Sequence, residues 1–370
     1  MTVTTSTASS QQDRDERPTE PPSGPIVSIR SVLARHPLAA YALRRFGLYL
    51  IELWGALTIA FFFFRMIPGD PIQTFIQTLQ QNYVYNQQAS AEVIARYRKE
   101  FGLEGNVFTQ YLHHMKKLIF EHDLGPSLIN YPTPAQDVIM QSLPWTIGLL
   151  GISAVIAWVL GLAAGALAGW RRGKLGAEIS TNLAIILGHV PFYFVALILV
   201  YVFAYTLGLL PARSAYDSNI PIGFSPSFLL SLLQHGFLPA LSIVIIGIFN
   251  WLLSTRMLMI PVLGEDYLTY AEAKGLKPGR ILSRYALRNI YLPQVTGFGI
   301  SLGFIFNGNV LVEQLFNYPG LGSTLVTAIT QLDFNTILGV TDMAIVSVLT
   351  VNLVLDLLLP LLDPRVKYWR

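Results

Sequence analysis

A chain of 370 residues with 52% hydrophobic and only 13% charged side chains lies far from the soluble norm, in which charged residues make up about a quarter. Its 25 basic residues against 22 acidic ones are too evenly balanced to imply a nucleic-acid partner, and the lack of cysteine excludes a disulfide framework and any thiolate metal site. The composition is that of an all-α integral membrane protein whose partners include the lipid bilayer.

Residues 1 to about 25 combine Ser, Thr, Pro, Gln and charge with almost no large apolar side chain, so a disordered tail is expected. It lacks the apolar core and small-residue cleavage site of a secretory signal, and the first apolar segment is expected to stay as an anchor. With Ile29–Tyr41 read as a short interfacial helix, residues 1–41 form a tail in front of a membrane domain at 42–370.

A helix needs about 20 mostly apolar residues to cross the hydrocarbon core. Six segments qualify, at about 46–67, 145–169, 179–207, 238–262, 292–312 and 337–362. The fifth is interrupted by Gly297, Gly299, Gly303 and Gly308 with Asn307 and Asn309, and small residues in a span serve close helix packing. Arg44 and Arg45 precede the first span, Arg171, Arg172 and Lys174 follow the second, and Arg365, Lys367 and Arg370 follow the last. The loop at 263–289 falls on the same side and adds Lys274, Lys277, Arg280, Arg284 and Arg288, with Arg256 just before it, whereas the short opposite loops hold little beyond Arg213. The positive-inside rule therefore puts both termini and this loop in the cytoplasm. The loop at 68–144 carries Arg96, Arg98, Lys99, Lys116 and Lys117, but loops of that length are exempt from the rule, and it is placed outside.

Within that outer loop "AEVIARYRKEFGL" and "FTQYLHHMKKLIFEHDLG" carry apolar residues at helical spacing, which predicts a small helical cap over the spans. His113, His114 and His122 are not read as metal ligands, because adjacent histidines point to different helix faces and no carboxylate pattern completes the set. Ionisable residues inside spans are functional candidates by default. For Glu52, Asp342 and Asp356 the competing reading is a place near the headgroups or a partner on another helix. For His189 it is a hydrogen bond to backbone freed by Pro191. Asn307, Asn309 and Glu313, where the fifth span meets the outer mouth, are better candidates to line a pore. Pro319, Gly320 and Gly322 punctuate the turn "NYPGLG", which either dips into the mouth or is purely structural.

The longest polar helical stretch between the first and last spans is "EDYLTYAEAKGLKPGRILSRYALRN" at 265–289. Asp266 is the expected N-cap of a helix running to Lys274, and Glu265 and Asp266 suit its positive end. Gly275 is expected to close that helix in the left-handed conformation, with Leu276 supplying the accompanying apolar contact. Pro278 fits the first position of a second helix, where its missing N–H costs nothing. That helix puts Ile281, Leu282 and Tyr285 on one face and Arg280, Arg284 and Arg288 on another, while Tyr267, Tyr270, Ala271 and Ala273 belong to the first. A hairpin of this kind suits either lipid headgroups, met by its arginines, or a protein dock in which the small alanines permit close approach.

The stretch "YLTYAEAKGLKPGRILSRYALRN" resembles the cytoplasmic coupling loop, or EAA loop, of permease subunits in binding-protein-dependent ABC importers, in the version of the dipeptide and oligopeptide permeases. Ala271 and Gly275 match the second alanine and the glycine of the general motif, and Leu287 is retained. Thr269 and Tyr270 replace its acidic residue and first alanine, Tyr285 stands at its isoleucine, and Arg288 replaces its closing proline. Further likenesses follow in family order: "RMIPGDP" at 65–71, "FGLEG" at 101–105, "DLGPSL" at 123–128, "LGLLPA" at 207–212, "VLVEQLFNYPGLG" at 310–322 and "LDPRVKY" at 362–368.

The resemblance implies a six-span importer domain that docks an ATPase through Tyr270, Ala271, Glu272, Ala273, Lys274, Gly275, Leu276 and Pro278. It further implies two ATPase subunits on the cytoplasmic face, a second permease subunit that is related rather than identical, and an extracytoplasmic solute-binding protein. The setting is a bacterial or archaeal plasma membrane, and the cargo a peptide or a similar small solute such as an oligosaccharide or a metal chelate. No catalytic residue and no cofactor are expected, since ATP is bound by the partner subunits. The sequence agrees, because it holds no phosphate-binding G-x-x-x-x-G-K-[ST] loop, and "GWRRGKL" at Gly169 has the wrong spacing. An ion-coupled secondary transporter is the alternative, but the paired inverted repeats it calls for are not found. A membrane enzyme would show H-E-x-x-H or a nucleophile elbow, and neither occurs.

Overall fold

Apolar surface alone does not hold helices together in lipid, because hydrocarbon solvates it as well as another helix does. Close approach of backbones does. The computed structural model describes residues 37–70, 72–76 and 91–362. In chain order its helices are α1 (Pro37–Arg65), α2 (Ala91–Glu100), α3 (Val107–Lys116), α4 (Ala135–Thr146), α5 (Ile152–Trp170), α6 (Leu175–Gly188) and α7 (Phe192–Leu199). They continue as α8 (Pro226–Val262), α9 (Asp266–Ala273), α10 (Pro278–Ile281), α11 (Leu287–Gly303), α12 (Val310–Leu315), α13 (Leu321–Thr330) and α14 (Phe334–Leu362). Among the described residues there is no strand, only an isolated bridge between Pro126 and Pro134. Among the described residues those from Arg45 onward form one compact unit, and residues 37–44 of α1 fall outside it. Most of the predicted tail, residues 77–90 and the ending after Leu362 lie outside the described residues.

Among the described residues four runs are long and apolar enough to cross a membrane: Ala40–Arg65, Ala135–Trp170, Pro226–Val262 and Phe334–Leu358. The second joins α4 to α5 through a π-helical turn at Ile147–Gly151. Leu175–Gly188 and Phe192–Thr206 reach that length and apolarity only when taken together, as two helices that meet at 94°. The bend falls where Pro191 has no N–H to continue α6 and instead takes the N-cap position of α7. The segment predicted as one span at 292–312 is divided. Its helix, α11, is 17 residues long, tightens into a 3-10 turn at Phe304–Asn307, and breaks at Gly308, whose φ is 70°. Asn309 then starts α12, its side chain accepting from Val312 N–H at 3.3 Å.

The close approach is made by α5 and α8. Gly161, Gly165 and Gly169 recur every fourth residue and so share one face of α5. A Cβ on Gly165 would lie 2.5 Å from Leu252 O, one on Gly169 2.7 Å from Met259 Cβ, and one on Gly161 would run into Trp251. Gly165→Leu is expected to force the pair apart at an overpacking cost of at least about 1–3 kcal/mol. The measurement is monodispersity of the detergent-solubilised chain. Gly55→Leu, at a site with nothing within 4 Å, is the control that should behave as wild type. The small residues of α11 serve the same end against α14, since a Cβ on Gly299 would meet Leu355 at 2.7 Å and one on Gly303 would meet Val348 Cα at 3.2 Å.

Helices also form in the segment at 91–116, where the apolar spacing predicts them. Tyr111 and Met115 of α3 pack with Leu57 and Phe61 of α1 and Leu338 of α14. Phe75, Tyr97, Phe101 and Tyr131 make a separate aromatic cluster.

Candidate functional site

Between α8 and α11 the chain folds into a helical hairpin whose turn is closed by its own backbone. Gly275, with φ 72°, donates to Glu272 O at 2.8 Å, and Leu276 N–H reaches Ala271 O at 3.3 Å. These two bonds are the Schellman pattern that satisfies the last carbonyls of a helix, and it needs a left-handed residue at the glycine. Pro278 opens α10 as its first residue, and a π-helical turn at Leu282–Ala286 carries α10 into α11. At the other end Glu265, not Asp266, occupies the N-cap position of α9, and its side chain makes no capping bond. Asp266 is the first helical residue, where a negative charge still meets the positive end of the helix.

The hairpin is seated from within. Leu268, Ala271, Ile281, Ala286 and Ile290 are buried together with Ala166 of α5 and Met259 of α8, and Leu276 packs against this cluster. Ala271, expected on the docking face, thus faces the chain's own core at 3% exposure, and close approach there fixes the hairpin to α5 and α8. Glu272, Ala273, Lys274, Gly275 and Pro278 are exposed, as is Tyr270, over whose ring Lys274 Nζ stands at 4.5 Å. Tyr285 is also exposed and not part of the buried face with Ile281. Arg256, at the foot of α8, is tied to Glu178 of α6 at 2.9 Å.

The turn "NYPGLG" is organised around a buried carboxylate. Glu313 has no exposed surface, and its carboxylate accepts from Thr146 Oγ1 at 3.1 Å, Asn309 N–H at 3.2 Å and Ser323 N–H at 3.0 Å. Thr146 in turn accepts from Leu321 N–H at 2.7 Å, and Ser323 Oγ donates to the carbonyls of Tyr318 and Gly320. Gly320 and Gly322 are buried; a Cβ on Gly320 would fall 2.5 Å from Glu313 Oε2, and one on Gly322 would meet Val310 N at 2.8 Å and the same carboxylate at 3.0 Å. Asn307 and Pro319 are exposed. Ser214 N–H donates to Phe316 O at 2.7 Å, which ties the segment after "LGLLPA" to this turn.

A second buried carboxylate, Asp333, is the group that sequence reasoning overlooks. It accepts at the start of α14 from Thr336 N–H at 3.2 Å, and also from Thr336 Oγ1, Ser127 Oγ and Leu128 N–H at 2.7, 2.6 and 2.9 Å. "DLGPSL" is thereby pinned to α14, and Asn335 Nδ2 adds a bond to Pro126 O at 2.9 Å. The local signal was present in "DFNT", an Asp three residues ahead of a Thr at the start of an apolar run. In the same loop burial opposes the charge of Asp123, but Gly125 N–H and the Lys117 ammonium outweigh it and hold its carboxyl below the ordinary value.

The remaining candidates sort by partner. Asp342 meets His114 Nε2 at 3.0 Å, which joins α14 to α3, and Asp356 meets Arg45 at 3.0 Å. His189 donates from Nδ1 to Ile185 O at 2.7 Å, and Glu52 is exposed on α1. Among the described residues no three metal-ligating side chains converge.

Helices alone, several of them long and apolar enough to cross a membrane, with a polar hairpin rooted on two of them, define a polytopic membrane protein. Residues 161–368 match the family described as binding-protein-dependent transport system inner membrane component. The oligopeptide transport system permease protein AppB of Bacillus subtilis is 31% identical over 332 residues, covering 90% of this chain and 100% of the relative. The di/tripeptide transport system permease protein DppB of Pseudomonas aeruginosa is 30% identical over 349 residues, with coverage of 90% and 100%. The glutathione transport system permease protein GsiC of Escherichia coli is 29% identical over 328 residues, with coverage of 89% and 99%. The chain belongs to this family and is an inner-membrane permease subunit of a binding-protein-dependent ABC importer. Family membership selects this reading over the ion-coupled transporter.

Proposed function

We infer that the chain forms half of a translocation pathway for short peptides and that its hairpin is where ATP-driven motion enters. The observation carrying this reading is the hairpin itself: Tyr270, Glu272, Ala273, Lys274 and Pro278 are exposed at its tip, which is closed at Gly275 and rooted through Ala271 in the cluster of Ala166, Met259 and Ile290. Such an element transmits displacement because its inner face cannot slide without opening buried contacts. The tip lodges in a groove of one of two ATPase subunits, which bind all the ATP, and a related permease chain supplies the other half. An extracytoplasmic binding protein delivers cargo on the far side, with both termini in the cytoplasm of a bacterial or archaeal cell. Closure of the ATPases then needs only to favour one of two packed arrangements of the spans by a few kcal/mol. The names of the relatives, which carry oligopeptides, di- or tripeptides and glutathione, support a peptide cargo.

The test is uptake into vesicles that hold this chain with a second permease and the ATPases, with a labelled dipeptide or oligopeptide presented by the binding protein. Uptake is expected to require ATP. Uptake driven by a proton or sodium gradient without ATP would overturn the reading.

A further inference from the structure

The end of α1 carries a cation that the fold does not answer. Arg65 Cζ stands over the rings of Phe61 and Phe334, 5.7 and 5.1 Å from their centroids. Among the described residues its side chain forms no ion pair, and its Nε is buried with no hydrogen-bond partner. Aromatic faces attract the charge of a guanidinium but do not satisfy its N–H donors, which lie in its own plane. The neighbouring cations supply the contrast, since Arg98 meets Asp70 at 2.6 Å and Lys117 meets Asp123 at 3.0 Å.

Arg65 lines a cavity of about 280 Å³ with Arg98, Asp70, Leu103, Gln110 and Phe334. Two guanidinium groups thus face one carboxylate, and that carboxylate is already engaged: Asp70 accepts from Arg98 through Oδ2 and from Ile72 N–H through Oδ1 at 3.0 Å. The amide of Gln110 donates to the carbonyls of Leu103 and Gly105 at 3.0 and 3.3 Å. Glu100 shares a smaller neighbouring cavity with Arg65, but accepts there from the Tyr131 hydroxyl at 2.9 Å. Residues 77–90, outside the described part of the chain, hold no acidic side chain that could serve instead. A guanidinium half withdrawn from water and one charge in excess is completed by a planar anion, which it grips through two parallel N–H bonds. A single excess charge with Asp70 close by suits a monoanion better than a phosphate dianion. We propose that this cavity is a carboxylate-binding site in which Arg65 holds the anion. A peptide cargo, inferred above, offers that group at its C-terminus, and a free organic acid offers the same chemistry. The proposal stands apart from the reading of the cargo, because its test measures binding and not uptake.

The importer, purified with its ATPase subunits in mild detergent, is to be titrated with N-acetyldiglycine, with the C-terminal amide of the same compound, and with acetate, all at matched ionic strength. Binding is read from the rise in unfolding midpoint that a ligand of the folded state produces. N-acetyldiglycine is expected to raise the midpoint and its amide to leave it unchanged. Acetate matching the peptide acid shows that the carboxylate alone is recognised, and acetate falling short shows that the cavity takes a peptide end; either outcome supports the site. Arg65→Gln is expected to weaken binding about tenfold or more, the loss that follows from removing a hydrogen-bonded charge partner. Arg65→Lys, which keeps the charge and loses the fork, should fall between. Leu103→Trp narrows the same cavity with Arg65 left in place, and decides the matter should Arg65→Gln fail to assemble. An amide that stabilises as well as the acid, or variants that respond as wild type does, would overturn the proposal.

Discussion

Gly275→Val is expected to lower ATP-driven uptake roughly tenfold while the chain still inserts in the membrane, because a left-handed L-residue costs about 1–2 kcal/mol and valine is among the worst suited to it. The φ of 72° and the two bonds to Glu272 O and Ala271 O set this requirement. Bulk is not the reason, since a Cβ at this position meets nothing within 4 Å. Gly275→Asn supplies the contrast, because asparagine tolerates the same backbone and should retain most of the uptake. Uptake and ATP hydrolysis measured together on both variants give the answer. Valine is expected to separate hydrolysis from transport or to strip the ATPase from the complex, and normal uptake by the valine variant would refute the role given to the turn.

Glu313→Ala should be more damaging to the fold itself. It leaves the N–H groups of Asn309 and Ser323 without their acceptor, at about 1–3 kcal/mol each, on top of the lost Thr146 bond. Against a total stability of about 5–15 kcal/mol, that is a large fraction. A lowered unfolding midpoint in detergent is expected, and Gly320→Ala should reproduce it by driving a Cβ into the same carboxylate. Glu313→Gln keeps the volume but presents an NH₂ to one of the donors, so it should lie between wild type and alanine. A pore-lining residue would behave otherwise: Glu313→Ala would unfold at the wild-type temperature and change only which cargo is carried.

These two sites differ in how far the sequence discloses them. The hairpin is legible because its determinants are local. Gly275 and Pro278 each impose one backbone angle, and the observed turn follows from those angles with only a one-residue shift at the N-cap, from Asp266 to Glu265. Glu313 is not legible in that way. A carboxylate near the end of an apolar segment reads as polar surface until its acceptors' partners are known, and those partners are Thr146 and Ser323, the first of them far away in the chain. Ala271 is no more legible, since nothing in its own helix says whether a small residue invites a partner or a neighbouring span, and its burial at 3% exposure against α5 and α8 comes from the structure. The glycines and asparagines around Gly308 suit close packing within one span as well as a break, and only the structure decides for the break. By contrast the stripe Gly161, Gly165, Gly169 stood in the sequence at its helical spacing, and only its opposite face on α8 had to come from the structure.

That stripe also fixes what the hairpin is attached to. Ala166 and Met259 sit side by side in the hairpin's seat, one from each of the two helices locked backbone to backbone. A displacement arriving through Gly275 therefore loads α5 and α8 as a single beam of two rods, stiffer in bending than either alone. Spin labels placed one on each should keep their separation through the transport cycle, however far the pair travels.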